Sequence, residues 1–454
     1  PMRDSGRIAA AIDVLTDFET RRVPLKTALA DWARGARYAG AKDRAWISGL
    51  CLDALRKRNS LAQAMGDDSA RSAILAALRF SWGMSAETVA SLAAEEPHGP
   101  GALTADEKAR LSSEDSDENF SSPCGAREAE FENRLNLPAY IAGDFPEWLT
   151  PHMARVFGDK TAVEGAALAE RADVDLRLNT LKAEPEKALA ALAVVGAGAV
   201  PYLSTAARIP APDASDRAPA VTIIPAFNKG WVEVQDLGSQ IAALAAGETK
   251  GAQVLDLCAG GGGKTLALAA LMENTGQLYA YDEDARRLQP LYERSQRAGV
   301  RNLQIRNPAG GEGLDDLDGK MDLVFVDAPC TGSGTWRRHP DTKWRLTPQQ
   351  LERRMAEQDS VLDAGARYVK PGGRLVFVTC SIFMEECEDR VASFLSRHPD
   401  FSQTQALDAV GASGLLMEAG RDALEACKTP EGALRITPLR LRADGFFVAT
   451  LARA

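Results

Sequence analysis

Two cysteines and an acid stand where a sheet would deliver them to a site. Asp327 and Cys330 close the apolar run in "MDLVFVDAPCTGSG" (321–334), and Cys380 closes another in "LVFVTCSIF". A single cysteine ending an apolar strand is most often a small buried hydrophobe. A pair, each followed by small or turn-forming residues, reads as two reactive thiols. A helix is expected after each, and its N-terminus would favour the thiolate. A glycine loop with a lysine, "DLCAGGGGKT" (256–265), and an acid, Asp282, complete the set.

The loop reads as strand, glycine turn, helix start. A Walker A motif needs glycine where Cys258 stands, and a dinucleotide motif needs its third glycine at Thr265 or Leu266, so both readings fail. What remains is close backbone approach to a ligand at a helix N-terminus, or a tight corner and nothing more. Asp282 ends the next strand, where an acid can bind ribose hydroxyls. An adenosine-containing cofactor such as S-adenosylmethionine suits this combination.

Loop, acid and two thiols together suit methylation of a pyrimidine carbon. Carbon 5 is a poor nucleophile until a thiolate adds at carbon 6 and makes the ring enamine-like. A base must then remove the carbon-5 proton and the thiol must leave. Asp327 is expected to hydrogen-bond the cytosine edge, and the second thiol to help deprotonation or release.

The elements that must position these residues follow from periodicity. From Val234 onward, apolar strand runs alternate with amphipathic helices, the pattern of a mainly parallel sheet covered on both faces, with ligands bound beyond the strands' carboxyl ends. Residues 136–232 mix "VDLRLNTL", "EPEKALAALAVVG" and "VTIIP" and read as a small α+β domain of short strands and helices. Residues 1–84 carry apolar spacings of three and four and read as all-helical. Residues 85–135, with the acid-rich "TADEKARLSSEDSDENF" (104–120), read as a linker.

These motifs, with "DAPCTGSGTWRRHPDTKW", "VTCSIFMEECEDRV", "VQDLGSQIAALA" and "DGFFVATLAR", resemble the RsmB/Sun and nucleolar NOL/NOP family of RNA 5-methylcytosine methyltransferases over residues 136–454. The resemblance implies a class I, Rossmann-like S-adenosylmethionine-dependent domain over 233–454, preceded by an RRM-like α+β domain. It makes Cys380 the nucleophile and Cys330 the releasing thiol, and Asp327 with Lys264 is expected to order the base and the polar site. Its cofactor contacts fall on Cys258, Ala259, Gly260, Gly261, Gly262, Gly263, Lys264, Asp282, Asn307 and Asp327. Two positions depart from the family. Its Ala-Pro-Gly-Gly-Lys loop has glycine here instead of proline, which should loosen it. Asn307 stands where an acid is usual, and its carbonyl can still accept from the adenine amine. Residues 1–84, through "AKDRAWISGLCLDALRKR" (41–58), resemble a NusB-like RNA-binding domain. That implies 16S ribosomal RNA as substrate ahead of transfer RNA.

"TWRRHPDTKWR" (335–345) offers Trp336, Arg337, Arg338, Lys343, Trp344 and Arg345. These read either as phosphate and base contacts to single-stranded RNA or as a solvated loop with its tryptophans packed inside. A net charge of −10 argues against nucleic acid only globally. Seven irregularly spaced cysteines and four scattered histidines suggest reduced thiols and no metal site. No run is apolar enough to span a membrane, and the start lacks a secretory pattern, so a cytoplasmic protein is expected, and a monomer because RNA needs open access. Other readings are a non-catalytic RNA-binding assembly factor, against which both cysteines count, and an adenine amino-methyltransferase. The latter would want an aromatic residue where Cys330 stands and would leave Cys380 idle.

Overall fold

Two long apolar runs set the architecture. Leu323–Val326 and Leu375–Val378 are wholly buried, and such runs are satisfied only by strands covered on both faces. In the computed structural model, which describes residues 1–113, 120, 123, 134 and 136–454, they form the centre of an eight-stranded sheet. Its strands are β5 (Gln253–Asp256), β6 (Gln277–Tyr281), β7 (Leu303–Arg306), β8 (Met321–Asp327), β9 (Val369–Thr379), β10 (Phe401–Thr404), β11 (Leu434–Ile436) and β12 (Phe446–Arg453). The order is β10-β12-β9-β8-β5-β6-β7, with β11 paired to β12. Strands β5 to β9 run parallel, while β12 lies antiparallel between β9 and β10. The chain reverses its winding between β5 and β8, the switch point at which open sheets of this kind bind ligands.

The helix Pro348–Tyr368 covers β8 and β9. Thr347 and Gln350 form a reciprocal capping box at its start. Gly365 allows its close approach, since a Cβ there would meet Val326 and Leu375 within 3.3 Å.

Four earlier strands, β1 (Val174–Leu178), β2 (Gly198–Ala199), β3 (Ala206–Ile209) and β4 (Val232–Val234), form an antiparallel sheet ordered β2-β3-β1-β4. This sheet is not separate from the large one, as the boundary expected at 232/233 implied. The two share one compact unit, residues 172–211, 218–334 and 347–454. Buried Glu233 on β4 accepts from Arg294 at 3.2 Å and Arg297 at 2.8 Å. Asn179 bridges the carbonyls of Gly230 and Ala298. "VTIIP", expected as a strand, is a turn of 3₁₀ helix over Val221–Ile223.

The other unit comprises residues 1–171, 212–217 and 335–346. It is helical, as its first 84 residues predict, but does not stop there. Helices Ala86–Ala93 and Ala105–Leu111 lie within the expected linker, and Val89 and Leu111 are buried in the same core as Ile8, Leu15 and Leu50. Helices Thr150–Phe157 and Thr161–Leu168 belong to this unit too and not to the α+β domain. Helices of seven or eight residues span about two turns, too short for a period to emerge among acids, Pro and Gly. Residues 114–119 of the acid-rich stretch, and most of 121–135, lie outside the described residues. Among those described, no helix is long and apolar enough to cross a membrane.

Candidate active site

Adjacent parallel strands bring their ends together, and here each end carries a cysteine. Asp327 is in register with Val378, so the loop after β8 and the loop after β9 leave the sheet side by side. Cys330 Sγ and Cys380 Sγ lie 3.4 Å apart, and Gly334 N–H donates to the Cys380 carbonyl at 2.8 Å. No helix begins at either cysteine. A short 3₁₀ turn, Ser333–Thr335, follows the first, and turn Met384–Glu386 precedes the helix after the second. The helix-terminus activation expected from sequence is therefore not the device here. The thiols act on each other instead. The hydrogen bond with Cys380 comes first, and burial second, in pushing the Cys330 thiol well above the ordinary cysteine value, so Cys330 keeps its proton.

Beside the thiols, Lys264 Nζ donates to Asp327 Oδ2 at 2.8 Å and sits 5.1 Å from the centre of the Phe446 ring. Burial works against the lysine's charge. Asp327, the Cys380 sulfur and Asp256 outweigh it and hold its pKa above the ordinary value. Asp256, at the end of β5, accepts from Thr265 Oγ1 at 2.6 Å through one oxygen. Its other oxygen is buried without a partner. Burial, then the nearby Asp327 charge, push this carboxyl up to about 7.

The glycine loop is shaped by its lack of side chains. Gly262 has φ +92°, and a Cβ there would lie 2.2 Å from Leu291 Cδ1. Asp282 fastens the loop to β6 by accepting from Gly260 N at 2.9 Å, and also accepts from Asp284 N at 3.0 Å. Cys258 is half-buried among acids, and burial, then the nearby Asp256 and Asp327 charges, raises its thiol pKa well above the ordinary value, so it acts as a neutral wall. Asn307 Oδ1 caps its own turn through Ala309 N, and Glu312 accepts from Asn307 N. These residues fit an S-adenosylmethionine-like cofactor. The loop turns on glycines whose Cβ atoms would meet Arg287 or Leu291 or, at Gly263, open space, and the helix Gly263–Met272 starts beside it with N–H groups and Lys264 for a carboxylate. Asp282 and Asp327 offer acceptors for an ammonium and hydroxyls.

Of the six residues expected to grip RNA, three are inside. Trp336 and Lys343 are 1% exposed and Arg337 is 3% exposed. They belong to the helical unit. There, Lys343 Nζ donates to the Arg56 carbonyl at 3.0 Å and Trp344 Nε1 to that of Leu55 at 2.7 Å. Buried rings and cations cannot stack on splayed bases, which corrects the expectation for Trp336, Arg337 and Lys343. Arg338, Trp344 and Arg345 are part-exposed, and Arg345 donates to the Arg22 carbonyl.

Sequence reading missed Glu386, which hydrogen-bonds residues next to both cysteines. It stands in "MEECED", where an acid run looks like a solvated helix start. Among the described residues no cluster could hold a metal ion.

Residues 242–452 match the family described as 16S rRNA methyltransferase RsmB/F. A relative from Synechocystis sp., named "Probable ribosomal RNA small subunit methyltransferase B", is 31% identical over 316 residues, 68% of this chain and 67% of the relative. One from Erwinia tasmaniensis, "Ribosomal RNA small subunit methyltransferase B", is 34% identical over 261 residues, 56% of this chain and 58% of the relative. A solved methyltransferase homologue from Pyrococcus horikoshii is 25% identical with TM-score 0.54, covering 70% of this chain and 98% of that one. The chain thus spans between 58% and 67% of the length of these two curated relatives.

Proposed function

The chain belongs to the RsmB/F family of 16S rRNA methyltransferases, and from that membership we propose that it is an S-adenosylmethionine-dependent RNA cytosine-5 methyltransferase acting on 16S ribosomal RNA. The observation that carries the reading is the thiol pair at 3.4 Å beside the Lys264–Asp327 ion pair. When bound, the cofactor supplies an electrophilic methyl group. Residues Cys258–Lys264, Asp282, Asn307 and Asp327 would hold it.

Cys380 Sγ adds to carbon 6 of the cytosine, leaving electron density on carbon 5 for the methyl. Asp327, with Lys264 beside it, takes the polar edge of the base. The proton at carbon 5 must then go to a base, and Cys330 is the group poised to receive it. The resting thiol is held protonated chiefly by its hydrogen bond with Cys380. Once Cys380 is a neutral thioether, that hydrogen bond no longer holds the proton; Cys330 passes it to solvent water and, as thiolate, takes the carbon-5 proton. Loss of the carbon-5 proton restores the ring double bond, breaks the carbon–sulfur bond and returns Cys380 as thiolate. A target inside a duplex must first be flipped out.

The test is to incubate the protein with methyl-labelled cofactor and either a 16S transcript or transfer RNA, then digest to nucleosides. Label in 5-methylcytidine from the 16S transcript alone is the expected result. Label in transfer RNA, or at another atom of the base, overturns the assignment.

A further inference from the structure

We propose that Glu386 is the positioning residue that sets the separation of the two thiols, acting through Thr331 and Ser381. The proposal rests on the reading that both thiols serve one reaction.

Glu386 is wholly buried between the loops that carry Cys330 and Cys380. Its Oε1 accepts from Thr331 N at 2.8 Å and from Gln358 Nε2 at 3.0 Å. Its Oε2 accepts from Thr331 Oγ1 at 2.6 Å and from Ser381 Oγ. The residues immediately after each cysteine are thus fastened to one carboxylate. Gln358 also donates to the Pro329 carbonyl at 2.9 Å, so both neighbours of Cys330 are held by this arrangement.

An ionised carboxylate offers about four acceptor sites and no donor, and here it meets four donors from neutral groups. Burial raises the Glu386 pKa, as expected for a charge kept without water. Packing alone does not call for a buried acid, since an apolar residue of similar volume serves that purpose without the desolvation cost. What the acid adds is a fixed geometry: Oε2 takes a hydroxyl from each loop while Oε1 takes the Thr331 N–H and the Gln358 amide. Glutamine could satisfy one side, but its amide nitrogen would face donors on the other.

The test reads the thiols directly, without RNA or cofactor. The thiol oxidant diamide converts two thiols into a disulfide while its nitrogen–nitrogen double bond takes up the two hydrogens. The Cys330–Cys380 cross-link is quantified by peptide mass spectrometry in wild type and Glu386→Gln. The expected result is cross-linking slowed at least tenfold with near-ultraviolet circular dichroism unchanged. In methylation assays kcat should fall by a similar factor with the KM for RNA within twofold. A cross-linking rate within twofold of wild type overturns the proposal. If Glu386→Gln does not fold, Thr331→Val decides. It keeps the carboxylate and removes one donor, so severalfold slowing supports the clamp and an unchanged rate overturns it. Absence of methylation by the wild type would instead refute the reading of the site and leave the cross-linking result standing.

Discussion

Residues 327–334 and 335–346 follow one another in the chain yet serve different cores. In the first, polar groups are part-buried and meet partners from other elements of the sheet domain: Cys330 with Cys380, Asp327 with Lys264. In the second, the polar groups are packing material for the helical unit, with Lys343 and Trp344 ending on helix carbonyls of Arg56 and Leu55. Both stretches place charge out of bulk water. The difference is what the charge meets: in the first a site that can receive a substrate, in the second backbone acceptors that it satisfies and closes off.

The comparison predicts opposite kinds of failure. Cys380→Ser should reduce methylation at least 1000-fold, roughly 4 kcal/mol in the barrier, with thermal stability unchanged. Trp336→Ala should do the reverse. Urea denaturation followed by tryptophan fluorescence should show the helical unit destabilised by about 3–5 kcal/mol, while RNA affinity of the folded protein stays within twofold. A large affinity loss without destabilisation would return Trp336 to the RNA surface.

Buried groups in the two units also predict pH dependences in opposite directions. Burial brings the Lys343 pKa from its ordinary 10.5 down to about 7. Between those values the unfolded chain binds more protons than the folded one, so the helical unit gains stability as pH rises from 7 toward 10.5. Asp256 has the other sign. Its carboxyl is raised from 3.8 to about 7, so the folded chain holds the extra proton and stability falls as pH rises across that window. Each slope is at most about 1.4 kcal/mol per pH unit. Lys343→Met should flatten the alkaline rise in melting temperature, and Asp256→Asn the acid-side fall. A variant that leaves its curve unchanged removes that residue from the account.

Where topology decides position, the sequence was readable. Long apolar runs ending in Asp327 and Cys380 had to be central parallel strands, and the site lies at their carboxyl ends. The glycine loop was readable because only glycine tolerates its backbone and the closeness of Leu291. The segment 335–346 was not, because tryptophan beside arginine and lysine has the same composition on an RNA-binding surface and in a buried plug. Only the neighbouring carbonyls of Arg56 and Leu55, far away in sequence, distinguish the two. Glu386 was hidden for a related reason: its four donors come from residues 331, 358 and 381, and no local pattern sets this buried acid apart from the acids beside it. The short helices after residue 84 were lost because each is brief and its apolar face is completed by distant partners.

The central claim is the division of labour between the thiols, and denaturing gels test it most directly. Cys330→Ala, incubated with methyl donor and 16S transcript, should accumulate a covalent protein–RNA band that the Cys330→Ala/Cys380→Ala double variant lacks. A band formed by Cys380→Ala instead, or none from either single variant, would contradict the account.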